Sequence, residues 1–227
     1  MTLQDGTSRV HGEGAAIFDS SPGLSEKAAH QEVRAPVFER SGELRTAVIV
    51  TAVLYIASNW LTAPITSQLI ASGTPGAFIA YNVWMVLLFL VAIANFAFVG
   101  LWLGRARRNA ERIAPDQQRL SSVWVWLGWI TPIVNLWFPK QVIDDVWRST
   151  VRDSDEPRTG WWWGSFIATE VLIWLHGLFA TALGSIGPVV IWVLAAVMMT
   201  VAGVGWIHVV RTISDAQDAL ASRTVAS

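Results

Sequence analysis

The chain has 227 residues, with 16 Lys and Arg against 17 Asp and Glu and no cysteine, which excludes disulfide scaffolds, thiolate metal sites and cysteine nucleophiles. Charged residues are 15% of the chain, against roughly 25% in an average soluble domain. Residues 46–104 contain no Lys, Arg, Asp or Glu, and 159–210 contain only Glu170, so the charge-free runs exceed the ~20 apolar residues that a bilayer-spanning helix needs.

The expected fold class is therefore an all-α integral membrane protein. Residues 1–45 mix acidic, basic, Gly and Ser residues without an apolar run, so they read as a disordered cytosolic N-terminal tail and not as a signal peptide. Four apolar stretches follow as four transmembrane helices, at about 46–69, 78–104, 161–183 and 188–210. Gly73, Pro75 and Gly76 break the first pair, and Gly184, Gly187 and Pro188 break the second, which makes two helical hairpins. Residues 212–227 read as a short cytosolic C-terminal tail.

All 16 Lys and Arg residues lie outside the two hairpins. Cytoplasmic loops carry the Lys/Arg excess, which places both termini in the cytoplasm of a multi-pass plasma-membrane protein. The segment 120–139, LSSVWVWLGWITPIVNLWFP, decides how consistent that is. If it crossed the bilayer, the last six Lys and Arg would lie outside; if it returns, all of them stay on one side. Pro132 and Pro139 lack a backbone donor and Asn135 stands between them, so a broken, re-entrant or interfacial Trp-rich segment is expected.

Residues 139–152 have the spacing of an amphipathic helix lying on the cytosolic surface. Val142, Ile143, Val146, Trp147 and Val151 form one face, and Lys140, Asp144, Asp145, Arg148 and Arg152 the other. Lys140–Asp144 and Asp144–Arg148 are spaced i,i+4. Asp144 and Asp145 lack a third ligand for a metal and read as solvated ion-pair partners. Just after the second span, Arg105, Arg107, Arg108, Asn109 and Arg112 form the densest basic stretch. It reads as a contact for anionic lipid headgroups or as an ordinary topology-fixing flank.

Tryptophan is abundant, 14 residues in all. Trp60, Trp84 and Trp192 fall in outer halves of spans, and Trp102, Trp161, Trp162, Trp163 and Trp206 near inner ends, where indoles anchor at headgroup level. Glu170 is the exceptional residue. It lies about 14 Å of helix rise beyond Trp161, near the bilayer midplane, where a charge needs a partner or a wet cavity. Asn95 and Thr200 lie at similar depth, while His176 points about 120° away around the helix. Glu170 reads as a group that joins helices or as part of a proton or ion path.

Three segments taken together carry a resemblance: LWLGRARRNAERI at 101–113, GWITPIVNLWFPKQVIDDVWRS at 128–149 and GWWWG at 160–164. With Trp102, Gly128, Trp129, Pro132, Asn135, Trp137, Pro139, Trp147, Arg148, Trp161 and Trp162 in order, the region from about 46 to 211 resembles the actinobacterial membrane-protein family called domain of unknown function 4328. The resemblance implies the membrane architecture and names no activity. No nucleophile elbow, zincin pair, phosphate loop or dinucleotide fingerprint is present, so the sequence leans away from an enzyme and implies no cofactor, metal or nucleic acid. A structural or interaction component working at the inner membrane face is the leading expectation. Its partners would be anionic lipid headgroups and a protein partner or second copy. A small oligomeric transporter or channel using Glu170 is the alternative.

Overall fold

The computed structural model describes residues 38–40, 42–151, 157–179 and 187–225. The tail before residue 38, Arg152 and the second hairpin turn around Gly184 lie outside them. All regular structure among the described residues is helical. Helix α1 spans Gly42–Ser72 and α2 spans Pro75–Ile113. Gly73 takes φ +59° between them, the left-handed conformation that glycine adopts without penalty. Thr74 then caps α2 by accepting the Ala77 N–H at 3.2 Å, and Pro75 stands in the first turn, where its missing donor is not needed.

The chain next makes a short 3-10 turn, Pro115–Gln117, and helix α3, Trp124–Ile130. A second 3-10 turn, Val134–Leu136, leads into α4, Phe138–Thr150. Segment 120–139 is thus broken, as its prolines require. The break falls at Thr131–Ile133, where Ile133 takes φ +67°, a strained conformation for a β-branched side chain. Helix α5 covers Gly160–Phe179 and α6 covers Gly187–Val225.

Among the described residues, three helices are long and apolar enough to cross a membrane: α1, α2 and the Gly187–Arg223 part of α6. Helix α5 has 20 residues and carries Glu170 and His176 within its length. Large apolar side chains such as Leu54, Phe78, Phe89, Leu90, Trp174 and Leu178 are more than half exposed on the bundle sides. With 39 residues each, α2 and α6 rise about 58 Å, well beyond the ~30 Å of a hydrocarbon core.

Helices α1 and α2 pack together, α5 packs on α6, and α1 joins the two pairs through α6. The best-buried core is at one end of the bundle. There the last turns of α2 and the last third of α6 close around α4, with Trp102, Leu103, Val142, Ile143, Val146, Val209, Val210 and Ile213 fully or almost fully buried. The start of α1 lies at this same end, joined to α6 by Arg45 and Asp215 at 2.5 Å.

Two boundaries differ from the sequence expectation. Helix α6 does not stop near 210: it continues to Val225 because Ile213, Ser214 and Gln217 are buried against α2 and α4. Residues 38–40 and 42–45 are not loose tail. The first three dock against α2, and the others form the opening turn of α1.

Candidate functional site

Two places gather the polar residues. The first is the end of the bundle where α1 begins and α2 and α6 finish. Three arginines spaced along one face of α2 converge on Glu39. Arg108 donates to both carboxylate oxygens at 3.2 and 2.8 Å, Arg112 donates at 3.2 Å, and the Arg105 guanidinium stands 3.6 Å away. The hydrogen bond and charge of Arg108 hold the Glu39 carboxyl below its ordinary range despite partial burial, and Glu39 in turn raises Arg108.

Asn109, expected as an anion contact, is fully buried and grips the chain instead. Its amide accepts the Glu39 N–H at 3.0 Å and donates to the Glu39 carbonyl at 2.9 Å and to the Gln217 side chain at 3.0 Å. Arg107 is also withdrawn from the surface, at 3% exposure. It donates to Glu111 and to the Leu120 carbonyl, which ties the loop after α2 back onto the helix. The basic stretch is therefore split by burial: Arg107 and Asn109 hold the fold, while Arg105, Arg108 and Arg112 keep a partly exposed edge.

Asp144 and Asp145 are not the solvated pair that the amphipathic pattern suggested. They are 5% and 1% exposed, because α2, α3 and α6 enclose α4 on several sides. Asp145 accepts the backbone N–H of Arg119 at 3.0 Å and its guanidinium at 2.8 Å, with Arg148 at 3.6 Å. Asp144 accepts from Lys140 at 2.5 Å and from Thr159. Arg148 thus pairs with Asp145 at i,i+3 rather than with Asp144. No group of three metal-ligating side chains occurs among the described residues.

The second place is a partly open cavity of about 250 Å³ between α1, α2, α3, α5 and α6. It brings Glu170 and Asn95 together but not Thr200, which accepts the Trp60 indole N–H at 2.9 Å instead. His176 is elsewhere too, with Nδ1 3.0 Å from the Pro188 carbonyl. Asn95 accepts from Thr51 at 3.3 Å. Glu170 has no hydrogen-bond or ion-pair partner among the described residues.

The cavity walls are aromatic. Trp129, Trp162, Trp206, Phe96, Phe166 and Tyr55 all contribute. Trp162 and Trp206 lie 5.1 Å apart at 32°, and Trp129 meets Phe166 edge-on at 6.4 Å. Trp129 and Trp206 carry buried indole N–H groups without partners among the described residues. Gly203 permits the close passage of α6 past Ile56 at this level, since a Cβ there would overlap the isoleucine side chain.

The motif residues serve mainly to assemble these two places. Trp102 is fully buried, donates to Ser214 at 3.1 Å and packs edge-on against Trp206 at 5.5 Å. A Cβ at Gly128 would meet Phe138 and Pro139 at ordinary contact distance, so the packing of α3 on α4 does not depend on glycine there. Trp147 and Trp162 are buried in the core, Pro132, Asn135 and Trp137 are exposed, and Trp161 is half-exposed with its ring edge over Gly205 of α6. Sequence reasoning missed Glu39 and Gln217 because both lie in stretches that read as tails. A Glu placed three residues before α1 carries no local signal of its arginine partners 66 and more residues away.

No curated protein and no solved structure matches the chain. Residues 74–215, more than half of its length, match the family described as Domain of unknown function (DUF4328). That stretch contains the arginines of α2, the broken α3 segment, α4 with its two buried aspartates, and the Trp-rich start of α5. The chain belongs to the DUF4328 family.

Proposed function

We propose that the protein is a four-span plasma-membrane protein with both termini in the cytoplasm, working at the inner face as a structural or interaction component. Helix α5 is the fourth span, since 20 residues rise about 30 Å. The segment around α3 dips in and returns. Its Trp129 shares a cavity with Glu170, which supports a segment reaching toward the middle of the bundle. The one-sided distribution of Lys and Arg supports the orientation.

The observation that carries the inner-face role is that arginines held by Glu39 and Asp145 stay partly exposed. Three arginines share Glu39, and Arg119 and Arg148 share the buried Asp145. The side chains of Arg108, Arg119 and Arg148 remain 53%, 55% and 42% exposed while so anchored. Positioned and partly exposed cations suit anionic lipid headgroups, at about 1 kcal/mol each, or an acidic face of a protein partner or second copy. Nucleic acid has no part in this role.

Purified protein in nanodiscs of mixed phosphatidylcholine and phosphatidylglycerol tests it. The wild type is expected to enrich phosphatidylglycerol around itself, and the combined Arg108→Gln, Arg119→Gln, Arg148→Gln variant to lose that enrichment. Equal lipid composition around both would sink the headgroup role. Sidedness is tested separately on this cysteine-free chain: single cysteines at Thr74 and Arg158 are expected to label from outside and only after permeabilisation, respectively.

One observation favours a second role. A carboxylate without a partner in a partly open cavity suits a small oligomeric transporter or channel. Flux into vesicles that depends on Glu170 would establish it, and flux unchanged in Glu170→Gln would remove it.

A further inference from the structure

We infer that the Glu170 cavity binds an organic ammonium cation with a compact apolar body. The inference rests on the proposal that the bundle lies in the membrane, but not on transport.

Charge comes first. Glu170 is the sole Asp, Glu, Lys or Arg in residues 159–210, and 46–104 hold none. The two hairpins that build the cavity therefore contain no Lys or Arg to pair with it. An unpaired carboxylate away from water is stabilised only by a proton or by a cation from outside. An anionic occupant would meet like charge, and a neutral one would leave the carboxyl unmatched.

The walls add the second requirement. The indole nitrogens of Trp129 and Trp206 are buried, so what these rings expose along the cavity is carbon. Trp162 and Phe166 extend that surface. A cation within about 6 Å of such rings is attracted to their faces, and most strongly to tryptophan. The Asn95 carbonyl, which accepts from Thr51, adds a second partial negative charge toward a cationic head. Size sets the third. At about 250 Å³ the space exceeds the ~150 Å³ of an apolar cavity that takes up benzene, leaving room for one ring and a small charged head.

The test uses full-length protein in phosphatidylcholine nanodiscs and radiolabelled benzyltrimethylammonium. Its neutral isostere, 2,2-dimethylpropylbenzene, serves as competitor. Saturable binding is expected, with the isostere competing at roughly tenfold higher concentration or worse, because it lacks the charge. Two variants with wild-type circular dichroism and gel-filtration profiles extend the test. Glu170→Gln should weaken binding by roughly tenfold or more. Ala92→Phe should abolish it by filling the cavity while keeping the carboxyl. Absence of saturable binding to the wild type, equal competition by the isostere, or binding unchanged in Glu170→Gln would each overturn the inference. The wild-type competition alone decides the matter if either variant fails to fold. Cysteine labelling that keeps the proposed sidedness while binding is absent sinks the ligand and spares the membrane placement; saturable binding with reversed sidedness sinks the orientation and spares the ligand.

Discussion

The side-chain amide of Asn109 pairs with the backbone of Glu39 as a neighbouring strand would, accepting its N–H at 3.0 Å and donating to its carbonyl at 2.9 Å. The residues are 70 apart in sequence, and the pairing fastens the chain before α1 to the far end of α2. Asn109 also reaches Gln217, whose Nε2 donates to the Ala106 carbonyl at 2.8 Å and to Thr150 at 3.3 Å. One buried amide pair thus joins four segments. Asn109→Ala leaves several buried partners unsatisfied and is expected to lower stability by about 2–3 kcal/mol. Thermal unfolding in detergent measures this, and faster proteolysis ahead of α1 should accompany it.

The Glu39 cluster makes stability depend on acid. Its folded pKa is depressed, chiefly by the hydrogen bond from Arg108. A depressed carboxyl contributes stability that is fully present above its unfolded value, near 4.5, and is lost as pH falls through the lower folded value. Melting curves from pH 7 to pH 3 should show this loss in the wild type. Glu39→Gln should flatten that part of the profile, and an identical profile in the variant would refute the assignment.

Asp145 is 1% exposed and, among the described residues, is compensated by the Arg119 N–H and the guanidinium groups of Arg119 and Arg148. Removing one partner of a buried charge pair typically costs about 3–5 kcal/mol. Asp145→Ala is expected at the lower end of that range, because both arginines keep access to water. Asp145→Asn, which still accepts the Arg119 N–H, should lose less. Chemical unfolding of the two variants in parallel gives the comparison.

Glycines on the two packed helices α5 and α6 should respond in opposite ways. A Cβ at Gly205 would lie 2.7 Å from the Trp161 ring and 2.8 Å from Trp162 Cβ, an atom fixed to the α5 backbone. Gly205→Ala should therefore separate the helices and cost about 1–3 kcal/mol. Gly164 has nothing within 4 Å of such a Cβ. Gly164→Ala should stabilise by about 0.5–1 kcal/mol through helix propensity alone. Melting temperatures that move in the same direction would contradict the packing described.

Much of the helical layout was legible because its signals are local. Gly73, Pro75 and Gly76 mark the first turn by backbone chemistry, and Pro132 marks the break after α3. Helix ends were less legible. The stretch after Arg211 is polar enough to read as a tail, yet Gln217 keeps it helical by bonding to Ala106 and Thr150 across the bundle. Asp144 and Asp145 failed for the same reason. Periodicity assigns them to a polar face, but it cannot report that a second layer covers that face.

What the sequence determined by itself is the all-helical character and the sorting of charge to particular stretches. Hydropathy and charge act residue by residue, so they can be read along the chain without knowing what lies nearby. Only the tertiary structure decided which polar groups would meet. It placed Glu39 among the α2 arginines and Asp145 beneath Arg119, and it set Glu170 with Asn95 in a cavity rich in aromatic rings. Those outcomes depend on how helices distant in sequence cross and at what depth, and the strength of a charge or hydrogen bond is set by the partner and burial that the crossing provides.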